Sequence, residues 1–212
     1  MPRSARAPQP TIFRKMSPKE IFVLRQQPKQ WLASARSLRD AAESIFIDQA
    51  LVERKFHGDT RTAPKQEIMP GVFLATMVEV PNYAPAQMLY AYAMENLLKG
   101  IQVSNNPSLV SEDRLSKTLN THNLLCLAKE AGLTITRGHE RRILDTLQWI
   151  SQWGGRYPSA IRSNDMMPPG DDGELINPVL FQWQEDHPII RILYTRFEAV
   201  LVDRIRPPGP NG

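Results

Sequence analysis

Three short stretches of the chain hold side chains whose type and spacing suit contact with a phosphate or a nucleotide. Glu95 and Lys99 stand four apart, so on a helix they share one face. In this order they either form a helix-stabilising pair worth about 0.2–0.5 kcal/mol, or Lys99 offers its charge to a phosphate while Glu95 fixes it. His122 and Asn123 follow Thr121. At a helix start the dipole disfavours an imidazolium, so a neutral ring is expected. The segment either fixes the loop-to-helix turn or faces a ligand, since helix starts present free N–H groups to anions. Arg156 and Tyr157 precede Pro158, which disfavours helix at Tyr157 and so directs the chain's exit. Arg156 can hold a carboxylate or a phosphate bidentately. The same pair can equally be a latch, with Tyr157 packed and Arg156 joined to an acid such as Glu95. The candidate ligand-binding set is Glu95, Lys99, His122, Asn123, Arg156 and Tyr157.

Other chemistry is thin. The sequence has no glycine-rich phosphate loop, no His-x-x-x-His or Cys-x-x-Cys pair and no nucleophile elbow. Asp171, Asp172 and Glu174 lie close together, but an acidic loop without further ligands reads as solvated. Neither a metal nor a cofactor is expected.

The elements that must position these residues are helices. Residues 1–16 read as a leader rich in proline and arginine. Ser17, Pro18 and Glu20 make a helix start, and Pro28 breaks or kinks that helix. Trp31, Ala35, Leu38, Ala42, Ile45, Gln49 and Val52 form one stripe of a helix over 28–56. Arg36, Arg39, Asp40, Glu43 and Glu53 fall on its wet side. Residues 57–81 read as a long connection, with the β-branched stretch 72–80 not counted as a sheet. A helix over 85–103 is apolar over a wide face through Leu89, Ala93, Leu97, Tyr90, Met94, Leu98 and Ile101, so it should pack on more than one neighbour. Residues 104–120 form a polar loop with a helical turn around Asp113. Thr121 can cap a short helix that stops at Gly132. A helix over 137–153 rests on Ile143, Leu147 and Ile150. A loop over 162–184 comes next. Asp186 and Pro188 start the last helix, over about 187–204, with Ile189, Leu193, Phe197, Val200 and Leu201 inward. Four or five helices and little strand give an all-α bundle in one domain, 17–206, with a tail at 207–212.

Composition agrees with a globular chain. Apolar residues make up 42% and charged residues 23% of 212 residues, and Lys plus Arg exceed Asp plus Glu by 26 to 22, for a net charge of +4. That mild excess permits nucleic-acid contact without demanding it. Cys126 is the only cysteine, which excludes an intrachain disulfide; among leucines it is expected to be a buried thiol. No apolar run reaches the length of a membrane span, and the N-terminus lacks the apolar stretch of a signal peptide. A cytoplasmic protein is expected.

Three motifs occur in an order that carries a resemblance. The helix Ala91–Gly100 contains an A-x-E-x-x-L-K pattern ending on Lys99. Thr121-His122-Asn123-Leu124, with Leu127 three residues on, matches T-H-D/N-L-x-x-L. Arg156-Tyr157-Pro158 closes the set. Together with the helix at 29–56 this stretch, about residues 29–162, resembles the HEPN family of helical, nucleotide-associated domains. The resemblance implies a four- to five-helix bundle with long insertions and a homodimer. It also implies binding of a nucleotide or RNA, a defence or toxin–antitoxin setting, and a nucleotidyltransferase-type protein partner. Ribonucleases of that family carry Arg, four to six residues, then His. Here His57 follows Arg54 by three positions, His122 follows Arg114 by eight, His139 follows Arg137 by two, and His187 has no arginine in range. The pattern is absent, which tilts the expectation away from an enzyme. His122 with Arg114, or His122 with Arg156, is what remains as a loose catalytic pair. A non-catalytic scaffold stays open as a third role.

Overall fold

The computed structural model describes residues 16–62, 81–136, 138–154 and 182–207, with side chains over 16–55, 81–136, 138–152, 182 and 184–207. The first helix, α1 (Pro18–Arg25), begins where the sequence places it. Ser17 Oγ accepts the Glu20 N–H at 3.2 Å, and Glu20 Oε2 accepts the Ser17 N–H at 2.8 Å. Each side chain satisfies a backbone donor that the first turn leaves open.

The second helix, α2 (Pro28–Thr62), is longer than expected, so residues 57–62 belong to it rather than to a connection. Ala35 and Ala42 are buried, but the deepest large contacts are Leu32 and Phe46. The buried face is shifted because α2 packs on two helices at once. For the same reason its supposed wet side is only partly wet. Glu53 accepts the Tyr83 hydroxyl at 2.6 Å, Glu43 accepts the Tyr90 hydroxyl, and Arg39 lies over the Tyr194 ring at 5.3 Å. Arg36 and Asp40 remain exposed, with Arg36 Nε 2.6 Å from Glu198 Oε1.

The third helix, α3 (Ala84–Asn105), is the centre of the fold and is buried nearly all round, as its wide apolar face requires. It touches α2 on one side and the later helices on the others. Gly100 allows this. A Cβ there would stand 2.9 Å from Trp31 Cβ and 2.8 Å from a Leu201 methyl, so only glycine lets the helices come this close.

After α3 the chain makes two 3-10 turns, Pro107–Leu109 and Lys117–Leu119, on either side of an isolated bridge between Val110 and Leu115. The helical turn expected at Asp113 is therefore absent; Ser111 Oγ holds a bend there instead. The short α4 (Leu124–Glu130) turns Leu124, Leu127 and Ala128 inward. Cys126 falls on the opposite face and is exposed, which corrects the expectation of a buried thiol. Gly132, at φ +76°, ends the helix, with Leu133 N–H on Ala128 O and Gly132 N–H on Lys129 O. That is the left-handed stop its position implies.

The next helix, α5 (His139–Trp149), follows Gly138 at φ +85° and runs on into a π turn, Ile150–Gly154. The last, α6 (Trp183–Ile205), starts three residues before Asp186 and carries Pro188 inside it. Asp186 is not its first capping residue. It is buried, accepts the Gln182 N–H at 3.0 Å and pairs with Arg142 of α5.

The core is one cluster. Tyr90, Met94, Leu97, Leu98 and Ile101 of α3 meet Ile190, Leu193, Tyr194, Phe197 and Leu201 of α6, with α4 and α5 closing the end. Full burial of each such side chain contributes roughly 1.5–3 kcal/mol. The described residues form an all-α fold of six helices without a β-strand, and none of these helices is long and apolar enough to cross a membrane.

Candidate functional site

Three of the sequence-derived residues come together where α3 meets the start of α4. Glu95 and Lys99 lie one helical turn apart on α3, and Lys99 Nζ is 2.7 Å from Glu95 Oε1. Both residues are only 7% exposed. The other carboxylate oxygen, Glu95 Oε2, is 2.9 Å from His122 Nδ1. The His122 side chain is 59% exposed. The arrangement is a relay: a buried ammonium holds a buried carboxylate, which holds an imidazole at the surface.

Local structure fixes the imidazole's backbone. Asn123 Oδ1 accepts the Cys126 N–H at 2.7 Å and is the N-cap of α4. Thr121 Oγ1 accepts the Asn123 N–H at 3.1 Å. Gln148 of α5 accepts the Leu124 N–H at 3.1 Å. His122 thus sits between two residues whose side chains are spent on the turn. Further ties hold α3 in place: Asn96 to Ser34 on α2, Gln102 to the Leu127 carbonyl on α4, and the Tyr92 hydroxyl to the Ser151 carbonyl in the π turn. The π turn packs on α3, and single π turns are frequent at functional sites.

The bonds dictate the chemistry. Glu95, already accepting from Lys99, accepts a second hydrogen bond from Nδ1–H. That selects one tautomer and leaves Nε2 directed away from the pair, without a partner among the described residues. Such an Nε2 can accept a proton or a hydrogen bond.

The six candidate ligand residues therefore separate. Glu95, Lys99 and His122 converge. Lys99 is sealed behind Glu95, so it acts on His122 through the carboxylate and not on a ligand directly. The Asn123 side chain is the helix cap. Arg156 and Tyr157 lie outside the described residues, so the latch between Arg156 and Glu95 lies there too; what the structure gives Glu95 is Lys99 and His122. Arg114 is exposed on the loop after α3, and no hydrogen bond or ion pair joins it to His122. No cluster of three metal-ligating side chains occurs among the described residues.

A second polar centre went unread in the sequence. Glu43 receives the Tyr90 hydroxyl, His187 Nε2 at 3.3 Å and Arg191 Nε at 3.3 Å. Burial pushes the Tyr90 hydroxyl well above the ordinary tyrosine range and Glu43 adds to that, so Tyr90 remains the donor. These partners stand 47 and 144 residues from Glu43 for Tyr90 and His187. Spacing along the chain held no signal for them.

Neither a protein-family model, a curated protein nor a solved structure matches the chain.

Proposed function

We propose that the chain is a nucleotide- or nucleic-acid-associated binding module of the HEPN type. In this reading it works as a homodimer beside a nucleotidyltransferase-type partner in a defence or toxin–antitoxin setting. The observation that carries the proposal is the Lys99–Glu95–His122 relay. It spends two buried charges on holding one exposed imidazole, which is more than the bundle needs for packing. His122 Nε2 is suited to a ribose hydroxyl or, when protonated, to a phosphate oxygen. The test is binding of labelled RNA and of nucleotides, followed by anisotropy and by thermal shift. Wild type should bind and be stabilised, and His122→Ala should lose both effects. A chain stabilised by no nucleotide and no RNA is instead a scaffold.

One feature favours a second activity at the same place. An imidazole held at Nδ1 by a carboxylate, with no partner on Nε2 among the described residues, has acid–base geometry. It would let His122 take the proton of a 2′-hydroxyl in metal-independent RNA cleavage, with Arg156 as the arginine that the sequence spacing fails to supply. Cleavage that survives a chelator and disappears in His122→Ala would establish this activity. Binding without cleavage would leave the module as a binder.

A further inference from the structure

The relay makes no use of the centre at Glu43, which joins three helices. Tyr90 of α3 donates its hydroxyl to Glu43 Oε1. His187 of α6 places Nε2 3.3 Å from each carboxylate oxygen. Arg191, one turn further along α6, lies 3.3 Å from Oε1. The imidazole is stacked on Phe46 of α2, with ring centres 4.2 Å apart and 19° between planes, and Tyr90 meets it edge-on at 6.2 Å. Arg39 of α2 also bears on the Tyr90 hydroxyl. The residue before His187 is the buried Asp186, ion-paired with Arg142 of α5 and accepting the Gln182 N–H. Two consecutive residues thus tie the first turns of α6 down, Asp186 across to α5 and His187 inward to α2 and α3.

We propose that His187 is a proton-operated clamp on the start of α6. Neutral, it lies on Phe46, donates Nε2–H to Glu43 and holds that end of the helix against α2 and α3. Protonated, it releases the first turn while Ile190, Leu193, Phe197 and Leu201 keep the rest of α6 in the core.

The physical reason is a competition around one ring. Burial opposes an imidazolium, Glu43 favours it, and Arg191 opposes it. Glu43 is a divided partner, because its Oε1 already serves both Tyr90 and Arg191. Opposition wins, and His187 is held below the ordinary histidine range. The closed helix start therefore binds the proton more weakly than the open one does. Each unit of that difference weakens the clamp about tenfold once the pH is below both values. Opening is local because the remaining apolar contacts of α6 do not titrate.

Hydrogen exchange on the full chain at about pH 7 and about pH 5.5, across the range where histidine titrates, tests the clamp. After correction for intrinsic rates, protection of the amides between 186 and 191 should fall several-fold with acid in wild type. His187→Phe keeps a ring on Phe46 but cannot titrate, and should show equal protection at both pH values. Glu43→Gln removes the group that favours the imidazolium, and should enlarge the acid-induced loss. Acid sensitivity that persists in His187→Phe overturns the clamp. Sensitivity abolished in Glu43→Gln also overturns it, since the carboxylate would then be the titrating group. Should His187→Phe fail to fold, the wild-type ring signal decides by NMR. Its midpoint should lie below the ordinary value of about 6.5, and a midpoint at or above it rejects the proposal.

Discussion

Lys99 and Glu95 bury opposite charges 2.7 Å apart on one face of α3. Removing one partner of a buried pair leaves an uncompensated charge at a cost of about 3–5 kcal/mol, while exchanging both for apolar groups is often nearly neutral. Lys99→Met should thus lower the unfolding free energy by about 3 kcal/mol or more, and Lys99→Met with Glu95→Leu should recover most of it. Urea denaturation of the single and double variants checks this. A single variant as stable as the double would mean that the pair is not coupled.

Glu95 also selects the tautomer of His122. Because the ring is largely exposed, His122→Ala should change stability by no more than about 0.5 kcal/mol. Glu95→Gln should instead be visible in the ring itself. Nitrogen-15 shifts of His122 should report Nδ1–H in wild type and a mixture of tautomers in Glu95→Gln. Identical shifts in both proteins would remove Glu95 from the role of orienting group.

Gly100 sits where α2 and α6 both press on α3. Alanine would gain about 1 kcal/mol of helix propensity. It would also drive a methyl into Trp31 Cβ, which is fixed to the backbone, at an overpacking cost of about 1–3 kcal/mol. Gly100→Ala should therefore lower Tm on balance. A calorimetric scan in which Tm rises would show that the three helices can part without penalty.

Glu140 governs part of the acid limb of stability. Burial raises its carboxyl, but the Thr136 N–H and the Arg196 guanidinium outweigh burial and hold it below the ordinary carboxylate range. A group lowered in the folded state contributes stability above its unfolded value and loses it as pH falls through the folded one. Wild type should lose stability below about pH 4.5, and Glu140→Gln should be less stable at neutral pH with a flatter acid limb. Parallel pH–stability curves for the two proteins would contradict the assignment.

Local signals in the sequence located what local physics controls. Ser17 and Glu20 announced α1, Gly132 announced the end of α4, and the breadth of apolar residues around Leu97 announced a central helix. The start of α6 is not legible because Asp186 looks like a cap in sequence, while in space it belongs to Arg142. The exposure of Cys126 is hidden from the sequence for a related reason. Leu124 and Leu127 are buried, but a helix separates adjacent residues by about 100°, which turns Cys126 outward. In the candidate site, the spacing of Glu95 and Lys99 was legible because helix geometry joins i to i+4. The seat of His122 on Glu95 was not, since it depends on how α4 docks on α3.

The outward face of α4 gives the experimenter a handle. Cys126 is the chain's sole thiol, it is exposed, and it lies four residues beyond His122. A fluorophore or spin label attached there needs no cysteine removed elsewhere. It would report from the helix that His122 leads into, so a ligand's arrival could be followed as a change in the label's mobility or emission on an otherwise unaltered protein.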